Sequence, residues 1–159
     1  MILDISKSVT LQVPVDRVWA LLQDPPAVAA CLPNVRDFRQ VDGVPGKWAT
    51  VLVEKLGPFS VQVALVIEVT EDAATHRITA RVAGDDKGGA ARVRGDLVAG
   101  VIAAGDSASA DGATLNITSN VEVLGRLATL GAVPMKRRAD QIFELFVKNI
   151  GQALEGQRG

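Results

Sequence analysis

The chain has 159 residues, 48% of them hydrophobic and 22% charged, with a formal net charge of −1. That length fits one domain, which can bury roughly 70% of its unfolded surface, and a chain this hydrophobic does not stay disordered. With no basic excess there is no electrostatic footprint of a general nucleic-acid binder.

The single cysteine, Cys31, excludes an internal disulfide and predicts a reducing, cytoplasmic setting. Cys31 and the single histidine, His76, cannot supply the four ligands of a structural zinc site, so neither metal nor resident cofactor is expected. The segment from Met1 to Thr10 lacks the basic and apolar regions of a secretory signal. No window reaches the ~18 consecutive apolar residues of a membrane span. Four Phe, two Trp and no Tyr leave the core to Val, Ala, Leu and Ile. Small aliphatic side chains fill the space beside a sheet less completely than rings do, which hints at an internal cavity.

Val9, Leu11 and Val13 alternate with polar residues and predict a first strand ended by Pro14. Val15, Val18, Trp19 and Leu22 then recur at helical spacing. Asp24 followed by Pro25 reads as an N-cap and first helical residue, opening a second short helix to about Cys31. Strands follow over about 35–41 and 48–54, separated by Asp42-Gly43 and Pro45-Gly46. The clearest strand places Phe59, Val61, Val63, Leu65, Ile67 and Val69 on one face. Two more are predicted from His76 to Val82 and from Ala91 to Val101, then a loop around Gly105 to Gly112. The last strand carries Leu115, Ile117, Ser119, Val121 and Val123 on its apolar face. A long helix with Pro134 in its first turn closes the chain. Its stripe is Met135, Ala139, Ile142, Phe143, Phe146, Ile150 and Ala153.

Strands joined by short turns pair antiparallel, and a sheet with one apolar face must cover it. The expected fold is therefore α+β: a curved antiparallel sheet of about six or seven strands around the C-terminal helix, with two short helices after the first strand. One domain is expected over 1–154, with a frayed tail over 155–159.

Several segments in this order resemble the helix-grip (START-like, SRPBCC) superfamily, and within it the CoxG family of carbon monoxide dehydrogenase subunits. They are Val13-Pro14-Val15 through Leu22, Asp24-Pro25, Cys31-Leu32-Pro33, Lys55-Leu56-Gly57-Pro58, the turn from Asp85 to Gly89, the segment from Gly125 to Gly131, and the helix bearing Phe143 and Phe146. The resemblance covers essentially the whole chain. Asn34 stands where the family usually has Gly, and the chain stops at Gly159 without the apolar C-terminal extension of some relatives, so no stable anchor is expected. The resemblance implies a non-enzymatic accessory protein that binds an apolar molecule, a quinone or lipid, and serves a molybdenum hydroxylase of the carbon monoxide dehydrogenase type at the inner face of the membrane. Two alternatives stay open: a helix-grip enzyme acting as cyclase, aromatase or hydrolase, and an interaction protein with a filled core.

The ligand-binding residues expected on this reading are Val61, Val63, Leu65, Ile78, Val82, Val93, Leu97, Leu115, Ile117, Leu127, Leu130, Ile142, Phe143 and Phe146. The apolar, glycine-flanked segment from Gly125 to Pro134 reads either as a gate over the cavity or as a buried connection. Lys136, Arg137 and Arg138 are expected to meet anionic lipid headgroups, each contributing about 1 kcal/mol, or else to form a solvated helix face. The inward faces offer only His76, Ser119 and Lys55 as polar groups, and no catalytic residue is assigned. Cys31 reads as a buried structural thiol, Arg92, Arg94 and Asp96 as a solvated strand face, and Asp85-Asp86 as a turn with too few ligands for a metal.

Overall fold

The computed structural model describes residues 1–104 and 112–156, with side chains through Leu154. Most of the loop expected at 105–112, and the last residues of the expected tail, lie outside the described residues. In chain order the elements are β1 (Ile2–Leu11), α1 (Val15–Leu22), α2 (Pro25–Ala30), β2 (Val35–Gln40), β3 (Lys47–Leu56), β4 (Phe59–Asp72), β5 (Arg77–Asp85), β6 (Arg92–Ala103), β7 (Ala113–Leu124), a 3-10 turn (Arg126–Leu130) and α3 (Ala132–Gly156). The described residues form one seven-stranded antiparallel sheet in the order β1-β7-β6-β5-β4-β3-β2. Consecutive strands are neighbours from β2 to β7, as short turns require, and only β1 joins from a distance to close the far edge.

One boundary differs from expectation. β1 begins at Ile2 rather than near Val9. Leu3, Ile5 and Val9 continue the apolar face, but Lys7 falls between them and breaks the sequence pattern. α3 begins at Ala132 and carries Pro134 in its first turn, as expected, where the missing N–H has no intrahelical acceptor. At α2 the predicted cap is present: Asp24 accepts a hydrogen bond from the Ala27 N–H at 3.3 Å.

Direct cross-strand partners share a face, so the register defines rows across the concave side. One row runs Ile5–Ser119–Leu97–Ala80–Val69. The next runs Leu3–Val121–Gly95–Val82–Ile67–Trp48. Two glycines let the sheet curl here. A Cβ on Gly84 would lie 2.1 Å from the Ala64 carbonyl oxygen, and one on Gly95 would lie 2.3 Å from that of Asn120. Only a residue without a side chain admits so close an approach of neighbouring strands.

The core divides in two. At one end, α1, Cys31 and the C-terminal half of α3 (Phe146, Ile150, Leu154) bury against Ile78, Val101 and Leu115. Arg17 donates to the Leu154 carbonyl, and Asn149 Nδ2 donates to the Cys31 carbonyl at 3.0 Å, fastening α3 to the short helices. At the other end, Met135 and Leu127 bury against Leu3, Val61, Val63, Leu65 and Val123. Between the two clusters α3 is held by ion pairs. Arg138 grips Glu54 of β3 with two hydrogen bonds, 2.9 Å from Nε and 3.1 Å from Nη2, and Lys7 of β1 meets Asp140. The Glu54 side chain is only 6% exposed.

The glycine contacts and the ion pair are both open to mutational test. Gly84→Ala should lower stability by about 1–3 kcal/mol through backbone displacement. Gly100→Ala, whose new Cβ meets nothing closer than 3.7 Å, should stay within about 0.5 kcal/mol, both read from urea-unfolding midpoints. Arg138→Leu should cost about 3 kcal/mol by stranding the Glu54 carboxylate, and adding Glu54→Leu should recover most of that loss. A double substitution no more stable than the single one would remove the ion pair from this account.

Candidate functional site

The middle of the concave face is lined by small and half-buried residues. Ala80 and Gly95 lie on its floor beside Leu97, and Ala99 borders it next to Ile117, where both pack against one end cluster. Large side chains are absent from three of these positions, so the floor is low where α3 crosses it. The helix mirrors this. Met135, Phe146, Ile150 and Leu154 are buried, whereas Ala139, Ile142 and Phe143 are only half-buried. The face is therefore closely packed at both ends and solvent-accessible in between.

The expected lining residues all face the concave side or its ends, but they do not form one surface. Val61, Val63, Leu65 and Leu127 are buried in one cluster, with Val93 and Leu130 packed against it. Ile78, Leu115 and Phe146 are buried in the other, with Ile117 against it. Leu97, Ile142 and Phe143 belong to neither and are half-buried, and Val82, also in neither, is buried between them. These four, with the small residues of the floor, line the middle of the concave face between the two packed clusters.

The polar groups of this face match expectation only in part. Ser119 is on it, half-buried, but Lys55 is exposed on the opposite side of β3. Thr50 and Glu54 face inward instead, and Thr50 donates to the Arg36 carbonyl at 2.6 Å. In β3 aliphatic residues occur on both faces, Leu52 and Leu56 on one, Val51 and Val53 on the other, so periodicity alone does not set the phase. Lys7 escapes the sequence pattern because the visible alternation starts only after it. His76 lies before β5 in a positive-φ conformation (φ 50°), with its ring 5.1 Å from that of Trp19. It packs on α1 rather than presenting an imidazole to the hollow. Cys31 is buried, and desolvation pushes its thiol pKa up, which keeps it protonated and a poor nucleophile.

The remaining candidates serve turns and surfaces. Gly125 (φ 93°) and Gly131 (φ 81°) flank the 3-10 turn, and the Leu127 N–H donates to the Ala90 carbonyl at 2.8 Å, so this segment closes the end of the sheet. Asp86 accepts from the Gly88 N–H at 2.7 Å and so holds its own turn. Arg92 pairs with Asp85 at 2.8 Å and Arg81 with Asp96 at 3.3 Å on the exposed outer face. Lys136 and Arg137 are exposed beside Val133, which is 68% exposed. Arg138 is not with them: its guanidinium turns inward to Glu54, because a buried carboxylate needs a charged partner. Two open surface depressions, one around Asp96 and Thr118 and one at the turn from Asp85 to Arg92, contain none of the expected lining residues.

The same architecture occurs in solved structures. A conserved protein from Geobacillus kaustophilus superposes with a TM-score of 0.83 at 21% identity, over 97% of this chain and 96% of that one. A START superfamily protein from Mycobacterium smegmatis gives 0.69 at 15% identity, over 97% and 98%. The Zhui aromatase/cyclase from Streptomyces sp. R1128 gives 0.57 at 16% identity, over 99% and 93%. At these identities the likeness shows the fold: a START-like helix grip. No curated protein matches the chain. The family model for the carbon monoxide dehydrogenase CoxG subunit matches residues 8–155, and with nearly the whole chain covered, this protein belongs to the CoxG family of carbon monoxide dehydrogenase subunits.

Proposed function

We propose that this chain is a non-enzymatic carrier that holds an apolar molecule, a quinone or a lipid, between the middle of its sheet and α3. The carrying observation is the interrupted core: buried clusters at both ends of α3, and half-buried Leu97, Ile142 and Phe143 over a floor of Ala and Gly. A concave apolar surface with few polar groups suits such a ligand. The family supports a carrier or accessory role, and its description names carbon monoxide dehydrogenase; on this reading the enzyme served is a molybdenum hydroxylase of that type. On this reading the protein works in the cytoplasm and touches the inner face of the membrane, where a quinone or lipid is exchanged. Val133, Lys136 and Arg137 form the contact. Among the described residues no helix is long and apolar enough to cross a membrane.

The direct test is native mass spectrometry of freshly purified protein, followed by organic extraction. A near-stoichiometric apolar molecule is expected. A clean apo mass that persists after exposure to quinones and phospholipids would end the carrier reading and favour an interaction protein with a filled core.

Ala80→Leu separates the same alternatives through stability. In a filled core the larger side chain would cost about 1–3 kcal/mol. In a hollow it should leave the unfolding midpoint nearly unchanged while reducing ligand occupancy. For the membrane contact, Lys136→Glu with Arg137→Glu should weaken sedimentation with phosphatidylglycerol vesicles at least tenfold, about 1 kcal/mol for each cation lost near the surface. Unchanged sedimentation would remove this face from the account.

A further inference from the structure

Trp48 stands at the β2 end of the concave row, directly opposite Ile67 and two strands from Val82. Its indole is stacked on Phe38, with ring centroids 5.2 Å apart and planes 19° apart. The residue is half-buried, yet its Nε1 is sealed from solvent and has no hydrogen-bond partner. Among the described residues it is the only buried side-chain nitrogen or oxygen so stranded. A buried indole N–H ordinarily finds an acceptor, and an orphan in an otherwise satisfied structure marks a missing partner. A phenyl ring would fill the same space without leaving a donor unmet. The local backbone is also special. The β2–β3 register shifts between Arg36 and Arg39, and Asp37 within the shift has φ 55°. This bulge lies in an edge strand, where such devices re-aim a side chain, and the side chain beside it is Phe38.

We infer that the Trp48 indole N–H donates to a carbonyl oxygen on the apolar molecule held in the hollow. The inference rests on the carrier reading and deepens it: the ligand is an apolar ketone or quinone rather than a plain hydrocarbon chain. Phe38 is stacked on the indole that carries the donor. Because it sits on an exposed, bulged edge strand, its ring is the wall that shifts to admit the oxygen. The indole thereby orients the ligand, since the rest of that row (Ile67, Val82, Gly95, Val121) offers no side-chain donor.

The test uses a shape-matched pair, 2-acetylnaphthalene and 2-ethylnaphthalene, which differ by a carbonyl against a methylene. Dissociation constants are measured for both compounds on the intact chain and on Trp48→Phe. The preference for the acetyl compound should fall roughly three- to tenfold in the variant, with ethyl binding retained. The same ratio in both proteins would overturn the inference and leave the carrier reading standing. Failure of the unaltered chain to bind either compound would overturn both. If Trp48→Phe does not fold, the indole Hε1 resonance of Trp48 decides, with Trp19→Phe used for assignment. It should move downfield with the acetyl compound and not with the ethyl one, and no movement at saturation with either would refute the donor role.

Discussion

The buried carboxylate of Glu54 holds α3 to the sheet at the level where apolar packing gives out. Arg138 reaches it from one side of the helix, and two residues later Asp140 meets Lys7 from the other. Residues two apart on a helix point about 200° apart, so the pairs bind α3 to β3 and to β1 on opposite sides. Ionic fastening of this kind contributes little net stability but fixes position. It also needs no bulk beneath the helix. Leucine or phenylalanine contacts in the same place would have held α3 equally well and filled the space that Ala80, Gly95 and Ala99 leave low.

The curvature of the sheet and its low floor are linked through Gly95. Gly84 and Gly95 let adjacent strands approach to distances that a Cβ forbids, and that approach bends the sheet toward the helix. At Gly95 the missing side chain also lowers the floor. The surrounding clusters absorb the consequence: dense burial around Leu115, Ile150 and Leu154 at one end and around Val61 and Val63 at the other stabilises a fold whose middle contributes less. On the proposed carrier reading this arrangement suits reversible occupancy, because a ligand there replaces packing the protein lacks rather than displacing packing it has.

The reactive side chains singled out in the sequence are engaged in packing or turns. His76 is engaged with Trp19, Cys31 is held as a thiol by burial, and the Asp85-Asp86 pair builds a turn. Helix-grip folds host enzymes and binding proteins alike, and the fold itself does not choose between them. The proposed carrier reading rests on side chains: small residues on the floor, half-buried Leu97, Ile142 and Phe143, and one indole donor without an acceptor.

The sequence by itself determined the order of elements, the antiparallel sheet and the buried stripe of α3. Each of these is written in local periodicity, as in the alternation from Phe59 to Val69 or the spacing from Met135 to Ile150. The Asp24 cap and the prolines beside it were equally local signals. Tertiary structure decided the rest. The inward positions of Lys7 and Glu54 were hidden because one charge within an apolar alternation reads as a break until its partner across the molecule is known. The same holds for Arg138, which reads as one of three surface cations until Glu54 is placed beside it. The division of one apolar stripe into two packed ends and an open middle was illegible for a related reason. Packing depends on which small residues face the helix across several strands, and that follows from register, a property no single segment carries.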